Sequence, residues 1–497
     1  MIQIRWKIYL GIGLLYTVEQ QAFAQARDLD YETAMELASQ HNPQIQNAAQ
    51  NISKSASAVM VANAIFDPKI TMSAGQNKST RQQFFAGLGS FNSEVYGPTF
   101  SVGTQSTLPT GTTLSVDWTT TRTASVYKSQ DFSELQQTIN PFDTTLTMTL
   151  TQSLLQGYKT SYNKRQVSIA QYNLQTSEWT ALETIQQVLG DTATAYWNTV
   201  HQQKLVALAT EALNIAQEEQ RLVEAKVQQG DIAPIEVDRI KATTLSKKLE
   251  LVDAQNAYLQ AKERLLILLG EDSSTTVTMT SSVPDISTLY VAQTPEEIEK
   301  ELQLVREHNP TLQRLQVSMQ NAEQAVQNAK HARLPDLTGT ARYSMSGWED
   351  NFTDALQELS SAALPGSYVG VNLNLPIANW NDRGQWQQRQ IELEQAKLEY
   401  ARIERDLLQQ AQQQIRSLQS AKYKMELHAM HVDIAQKTVD SDRAIQAAGR
   451  YIQKDVQASL QALQNAQIQY EKSVSDYIIA FVNLQRLQGQ LHYKTSP

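Results

Sequence analysis

His41-Asn42-Pro43 returns 267 residues later as His308-Asn309-Pro310, and at the same offset Pro68 falls on Pro335. Further along, at an offset of 219, Gly230 falls on Gly449, Val237 on Val456, Tyr258 on Tyr477 and Gly270 on Gly489. The chain therefore carries one plan twice, with about 48 extra residues inside the first copy, the difference between the two offsets. So long a period does not build a solenoid. It predicts twofold pseudo-symmetry within one protomer, with a first repeat over 27–270, a linker over 271–295, a second repeat over 296–491 and a tail over 492–497. Asn is a good N-cap and Pro fits the first helical position, so Asn42-Pro43 and Asn309-Pro310 are expected to start helices. His41 and His308 are then neighbours of a turn and not ligands.

Long helices fill most of each repeat. From Asn163 to Gln229 there is no Pro and only one Gly, Gly190. A continuous helix over that stretch is roughly 100 Å long at 1.5 Å per residue. Its counterpart runs from Gln385 to Ala448. Leu408, Ala411, Ile415, Leu418, Met425, Ala429 and Val432 follow steps of three and four, broken at Lys422. In the last helix Val456, Leu463, Tyr470, Tyr477, Leu484 and Leu491 sit seven apart, as do Val237, Thr244, Leu251, Tyr258 and Leu265 in the first repeat. Sustained heptads predict helices packed side by side, knobs into holes. The other faces are crowded with Gln, which suits either the wall of a hollow barrel or an ordinary solvated bundle face.

Strands are expected between the helices, at Lys69–Gln76, Thr99–Leu108, Thr112–Thr121 and Thr144–Leu154 in the first repeat. In the second they are expected at Asp336–Trp348 and Tyr368–Ile377, flanking a polar loop. Leu146-Thr-Met-Thr-Leu150 alternates strictly, and Val369, Val371, Leu373 and Leu375 alternate with Gly and Asn. Segments of about ten residues, apolar on one face and Thr/Ser/Asn on the other, suit a membrane β-barrel, although a soluble sheet gives the same pattern. Trp118, Trp348 and Trp380 near strand ends are candidates for interfacial girdles.

Residues 1–24 read as a secretory signal: Arg5 and Lys7, the apolar run from Ile8 to Tyr16, and small Ala22 and Ala24. The chain has no Cys, which excludes disulfides, thiolate metal sites, Cys nucleophiles and a lipidated Cys. No later stretch approaches the roughly 18 apolar residues of a membrane helix. A formal charge of -9 argues against nucleic acid as a partner. No catalytic, cofactor or metal site is expected. His428 and His431 lack a third ligand at motif spacing, Gly87-Leu-Gly89 precedes no helix, and the carboxylates lie beside Lys and Arg as on a charged surface.

Over essentially its whole mature length the chain resembles the TolC-like outer-membrane efflux and secretion channels. The resemblance rests on the duplicated helix–strand–helix plan, the His-Asn-Pro helix starts, Asp67-Pro68 and Leu334-Pro335 opening the first strands, and Asn374-Leu375-Pro376-Ile377 leaving the last. It rests also on Gln229-Gly230 and Ala448-Gly449 at the helix turns, each followed six residues later by a carboxylate, Glu236 and Asp455. It implies an α+β membrane protein: a homotrimer forming a transmembrane β-barrel in outer-membrane lipid, continued by a coiled-coil helical barrel across the periplasm of a Gram-negative cell. It implies a passive exit duct of a tripartite efflux or type I secretion system, served by a periplasmic adaptor protein and an inner-membrane pump. It further implies that Asp455 and Glu236 are pore-entrance carboxylates, and that the turns with Gly230, Asp231, Gly449, Arg450 and Tyr451 dock the adaptor. Three Asp455 carboxylates about 6 Å apart would repel by roughly 3 kcal/mol per pair at an effective dielectric near 20. Two departures stand out. Ala458 occupies the position of the family's second acidic ring, and 69–154 holds up to four strands where two are expected. The extra hairpin around 98–122 fits a longer barrel strand, an extracellular flap or a periplasmic element. A secreted or periplasmic coiled-coil structural or adaptor protein without channel activity is the alternative reading.

Overall fold

The computed structural model describes residues 27–85, 89–122, 124–129, 136–230, 233–272, 277–279, 291–447 and 453–491. The expected signal segment and the tail lie outside the described residues. The chain divides into two compact units, one from Met1–Ala48, Leu182–Asn309 and Asp406–Pro497, the other from Ala49–Ala181 and Pro310–Arg405. Each repeat contributes to both.

The first unit is helical. Strand β1 (Arg27–Leu29) leads into α1 (Tyr31–His41), whose first turn is closed by the Asp30 carboxylate accepting from the Thr33 amide. Helix α2 (Pro43–Asn63) follows at once. Helix α4 (Arg165–Gln228, 64 residues) enters this unit at residue 182 and returns as α5 (Ile235–Leu269). After β8 (Val277–Met279), parallel to β1, the second repeat begins with α6 (Pro295–His308). A capping box sets the start of α6: Thr294 Oγ1 accepts from the Glu297 amide and the Glu297 carboxylate accepts from the Thr294 amide. Helix α9 (Trp380–Ala447, 68 residues) and α10 (Gln453–Leu487) repeat the long hairpin.

The core of this unit follows the duplication. Met35 and Ala38 of α1 are buried with Leu189, Tyr196, Leu265 and Leu269, while Leu302 and Val305 of α6, their equivalents 267 residues on, are buried with Ile415, Leu418, Tyr477 and Leu484. The seven-residue row of α10 faces inward, with Val456, Leu463, Tyr477 and Leu484 buried and Tyr470 half-buried, and Leu491, beyond the end of the helix, is buried as well. In α9 the inward row is Ala411, Ile415, Leu418 and Ala421. Ala421, not Lys422, keeps the row, so Ala429 lies exposed where the three-four spacing had placed it inside. Gly190, mid-helix in α4, leaves room for Arg486 of α10, whose Cδ would stand 2.7 Å from an added Cβ.

The second unit holds an antiparallel sheet. After a short 3-10 turn come β2 (Lys69–Phe85), β3 (Gly89–Thr107), β4 (Thr112–Arg122), β5 (Ala124–Ser129), β6 (Gln136–Ile139) and β7 (Phe142–Ser153), then the four-residue helix α3 (Thr160–Asn163). Helix α7 (Pro310–Ala332) leads to β9 (Asp336–Glu349), α8 (Phe352–Ser360) and β10 (Leu364–Asn374). β4 and β5 run along one side of β3, and β7 and β6 pair with them in turn, so each couple acts as one long strand. The strand order is thus β2, β3, β4/β5, β7/β6, β9, β10, six strands wide.

Three differences from the sequence reading appear here. β2 and β3 continue well past the expected ends, pairing from Lys69 with Gln105 to Phe85 with Gly89. The loop expected before the last strand contains the amphipathic helix α8, with Ala355 and Leu359 buried. β10 starts at Leu364 and stops at Asn374, short of Pro376, which lacks the amide a ladder requires.

Candidate channel wall and helix tips

The sheet has two chemically opposite faces across its full width. One cross-strand row reads Met72, Val102, Trp118, Leu146, Met345, Pro365, and the next on that face Ile70, Thr104, Val116, Met148, Tyr343, Ser367. The rows between them point the other way: Ser73, Ser101, Thr119, Thr145, Ser346, Leu364, and Thr71, Gly103, Asp117, Thr147, Ser344, Gly366. Hydroxyls bridge strands on the polar face, Ser73 to Ser101 at 2.7 Å and Thr145 to Ser346 at 3.1 Å. From Phe142 to Leu150 the apolar face of β7 is about 20 Å tall at 3.3 Å per residue and a tilt near 40°. That approaches the lipid-facing band of about 25 Å in outer-membrane barrels. At its end away from the helices the band carries aromatic rings: Phe100 against Trp118 at 5.8 Å, and Phe352 of α8 against Phe142 at 5.7 Å and Trp118 at 6.5 Å. Trp118 stands among these rings on the apolar face. Trp348 has the opposite parity, on the polar face, and Trp380 opens α9.

The helical unit leaves apolar stripes uncovered. On α5 Leu245, Leu249, Val252 and Leu259 are exposed, in steps of four, three and seven, and on α9 Tyr423, Leu427, Met430 and Ile434 are exposed, in steps of four, three and four. Such spacing is the seam of a coiled coil.

Toward the helix tips the two hairpins meet through polar groups. Gln457 of α10 donates to Glu219 of α4 at 3.0 Å. Lys247 of α5, with a side chain 12% exposed, donates to Gln461 at 2.8 Å, to Gln464 at 3.1 Å and to Glu250 at 2.9 Å. Its three protons thus have three acceptors. Burial pushes the Glu219 carboxyl up, against the Gln457 hydrogen bond and the Arg443 charge, which pull it down. A cleft of about 390 Å³ opens between these side chains.

At the first tip Gly230 has φ +83°, the left-handed value that closes α4, and its amide donates to Val227 O at 3.0 Å. Glu236 lies in the first turn of α5, paired with Arg239 through both oxygens at 2.8 and 2.9 Å. Asp455 belongs to the first turn of α10. Its side chain, and Asp231, Gly449, Arg450 and Tyr451, lie outside the described residues. Among the described residues no group of three or more His, Asp or Glu is placed to hold a metal ion, and no helix is long and apolar enough to cross a membrane.

A family model described as outer membrane efflux protein matches residues 113–271 and 302–490. The chain belongs to the outer membrane efflux protein family. The fold of this efflux protein agrees with solved members of the same architecture. It is similar to CusC, whose structures are described as following folding and transmembrane channel formation, with 13% identity, TM-score 0.66 and 95% of each chain covered. The CmeC outer membrane channel of Campylobacter jejuni gives 13% identity and TM-score 0.66 over 97% of this chain and 92% of that one. VceC of Vibrio cholerae gives 16% and 0.63 over 92% and 96%. No curated protein matches the efflux protein in sequence.

The polar meeting of the hairpins was missed in the sequence, although a signal was there. Ile240, Lys247, Ala254 and Ala261 form a second heptad row on α5, with Ile240 and Ala261 buried, so Lys247 is a charge at a core position. The same row on α10, Ser459, Ala466, Ser473 and Ala480, is wholly small and buried. Small side chains there let neighbouring helices come close.

Proposed function

We propose that this efflux protein is a passive outer-membrane exit duct, formed by three copies that close a β-barrel in lipid and continue it as a helical tunnel in the periplasm. In this reading an inner-membrane pump loads the tunnel through a periplasmic adaptor, and the protein itself performs no chemistry. The observation that carries it is the sheet: apolar side chains exposed across one face, hydroxyls across the other, and no closure among the described strands. In lipid an open sheet leaves backbone donors and acceptors at both edges unsatisfied, so it must be completed by further copies. The uncovered heptad stripes on α5 and α9 supply the matching seams for copies of the helical unit.

Asp455, six residues past the second tip glycine, is the carboxylate this reading puts at the entrance. Glu236, its counterpart in the first repeat, brings less free charge because Arg239 neutralises it. The turns at Gly230-Asp231 and Gly449-Arg450-Tyr451 are the points offered to the adaptor.

Single-channel conductance of the mature protein in planar bilayers tests the reading. A small conductance, blocked by divalent cations on the tip side and relieved in Asp455→Ala, is expected. Folded, membrane-extracted protein that forms no channels overturns it.

A further inference from the structure

We infer that each copy contributes six strands to the barrel wall, and that the seam between copies joins β2 of one protomer to β10 of the next, closing eighteen strands. This rests on the trimeric duct reading and specifies its wall.

By the offset that sets Pro68 on Pro335, β2 answers β9, so the extra pair of strands lies between β2 and β7, and in the sheet the hairpin β2–β3 stands at the edge. The family match begins at residue 113, in β4, and leaves β2–β3 outside it together with α1 and α2. A flap or a periplasmic element need not repeat the faces of the wall, but this hairpin does. Ile70 and Met72 of β2 and Val102 of β3 continue the apolar rows of β4, β7 and β9 in unbroken register, and Phe100 packs on Trp118 of the same face. Lys69, Thr71 and Ser73 continue the polar rows on the other side. A strand pair with this alternation, laid flush against the wall, has the chemistry of wall.

The edges are also suited to one another. β2 leaves the end of the sheet next to α2 and β10 returns to the end next to α9, so they run in opposite directions. Six is an even number, and in an antiparallel sheet only an even count gives edges that pair antiparallel with a rotated copy. Both are open along their length: Ile70 and Met72 are 71% and 72% exposed and Val369 is 84% exposed, whereas the inner strand β7 is largely half-buried. At 4.8 Å between strands and a tilt near 40°, eighteen strands enclose a backbone ring roughly 36 Å across, against roughly 24 Å for twelve. The outer mouth is accordingly wide, in the range of barrels that leave an aqueous channel.

The absence of Cys makes the test direct. Full-length protein carrying Val369→Cys together with Ile70→Cys, Met72→Cys, Ala74→Cys or Gln76→Cys is treated in membranes with a short bis-thiol cross-linker. Within one protomer four strands separate these positions, about 24 Å, so only a link between copies forms. A ladder ending at the trimer, for one or two of the four pairs, is the expected result, with none for Val369→Cys plus Val116→Cys. Cross-linking through Val116 and not through β2 overturns the six-strand wall while leaving a trimeric duct. A monomeric mass in detergent, with no link from any pair, overturns the duct reading and this inference together.

Discussion

The side-chain amide of Asn42 donates to the carbonyl of Leu268 at 2.8 Å, and 267 residues later Asn309 donates to Leu487 at 2.8 Å. Leu268 and Leu487 are themselves 219 apart, so one contact ties together the two separate offsets of the duplication. Each Asn is buried, at 3% and 4% exposure, and each partner carbonyl lies in the last turn of a hairpin helix, where backbone acceptors have no helical donor. The Asn42 Oδ1 also accepts from the Gln44 amide at 2.9 Å, capping α2. The expected helix-starting role is real, and the same side chain ties the start of one helix to the end of another.

Asn42→Ala and Asn309→Ala each leave a half-buried carbonyl without this partner, which costs about 1 kcal/mol. Losing the cap of α2 adds about 1 kcal/mol to the first. The two clamps lie in different repeats and close on the ends of different helices, so the double variant should lose close to the sum of the two. Denaturant unfolding of the detergent-solubilised protein reads this; a double variant no weaker than either single contradicts it.

Gly270 and Gly230 both have left-handed φ, +71° and +83°, but different surroundings. An added Cβ at Gly270 would lie 2.6 Å from His41 O, whereas at Gly230 nothing stands within 4 Å. Gly230→Ala should cost about 1–2 kcal/mol, the conformational term alone. Gly270→Ala should cost more, and comparison of the two unfolding midpoints shows whether it does.

Met148 and Thr147 are neighbours on opposite faces of β7. Met148→Arg places a charge on the apolar face and should cost about 2–4 kcal/mol near the bilayer midplane. Thr147→Arg faces Asp117 across the ladder and should be tolerated, with a change in ion selectivity only. Yield of membrane-inserted protein separates the two. Equal loss from both would count against the assignment of faces.

The raised pKa of Glu219 makes a pH prediction. An acid whose folded pKa lies above its unfolded value binds more protons when folded. Its favourable contribution is therefore complete below the unfolded pKa and lost as pH rises through the folded one. At neutral pH the buried charge weakens the fold, so Glu219→Gln, which keeps a partner for Gln457, should stabilise there. The gain should vanish in acid, below about pH 4. A gain unchanged between these pH values would remove burial of Glu219 as its cause.

The sequence carried the helical plan well because packing there is periodic. The row from Val456 to Leu491 announces a buried stripe whatever surrounds it. The far ends of β2 and β3 were not legible. Gln82-Gln83 and Asn92-Ser93 have no alternation and little strand propensity, and their pairing comes from the neighbouring strand. Helix α8 was missed for a related reason. Its nine residues are too few to show a period, and it is held by the sheet: an added Cβ at Gly347 would strike the Ala355 backbone, and the Glu358 carboxylate accepts from the Trp348 amide at 2.7 Å. At the site, the tip glycines and carboxylates were visible as repeated letters. Lys247 went unnoticed because the row through Val237 was followed and the row through Ile240 was not.

The pairing of β7 with β9 joins Phe142–Ser153 to Thr338–Glu349, and no such bridge is needed to close either Asn clamp. As the chain emerges, the first clamp can lock once Leu268 has appeared, the sheet stays unfinished until β10 ends at Asn374, and the second clamp waits for Leu487. The apolar face is therefore assembled between the two helical halves, after the first and before the second. That order gives the stickiest part of the molecule one finished helical half to stand on from the moment it becomes whole.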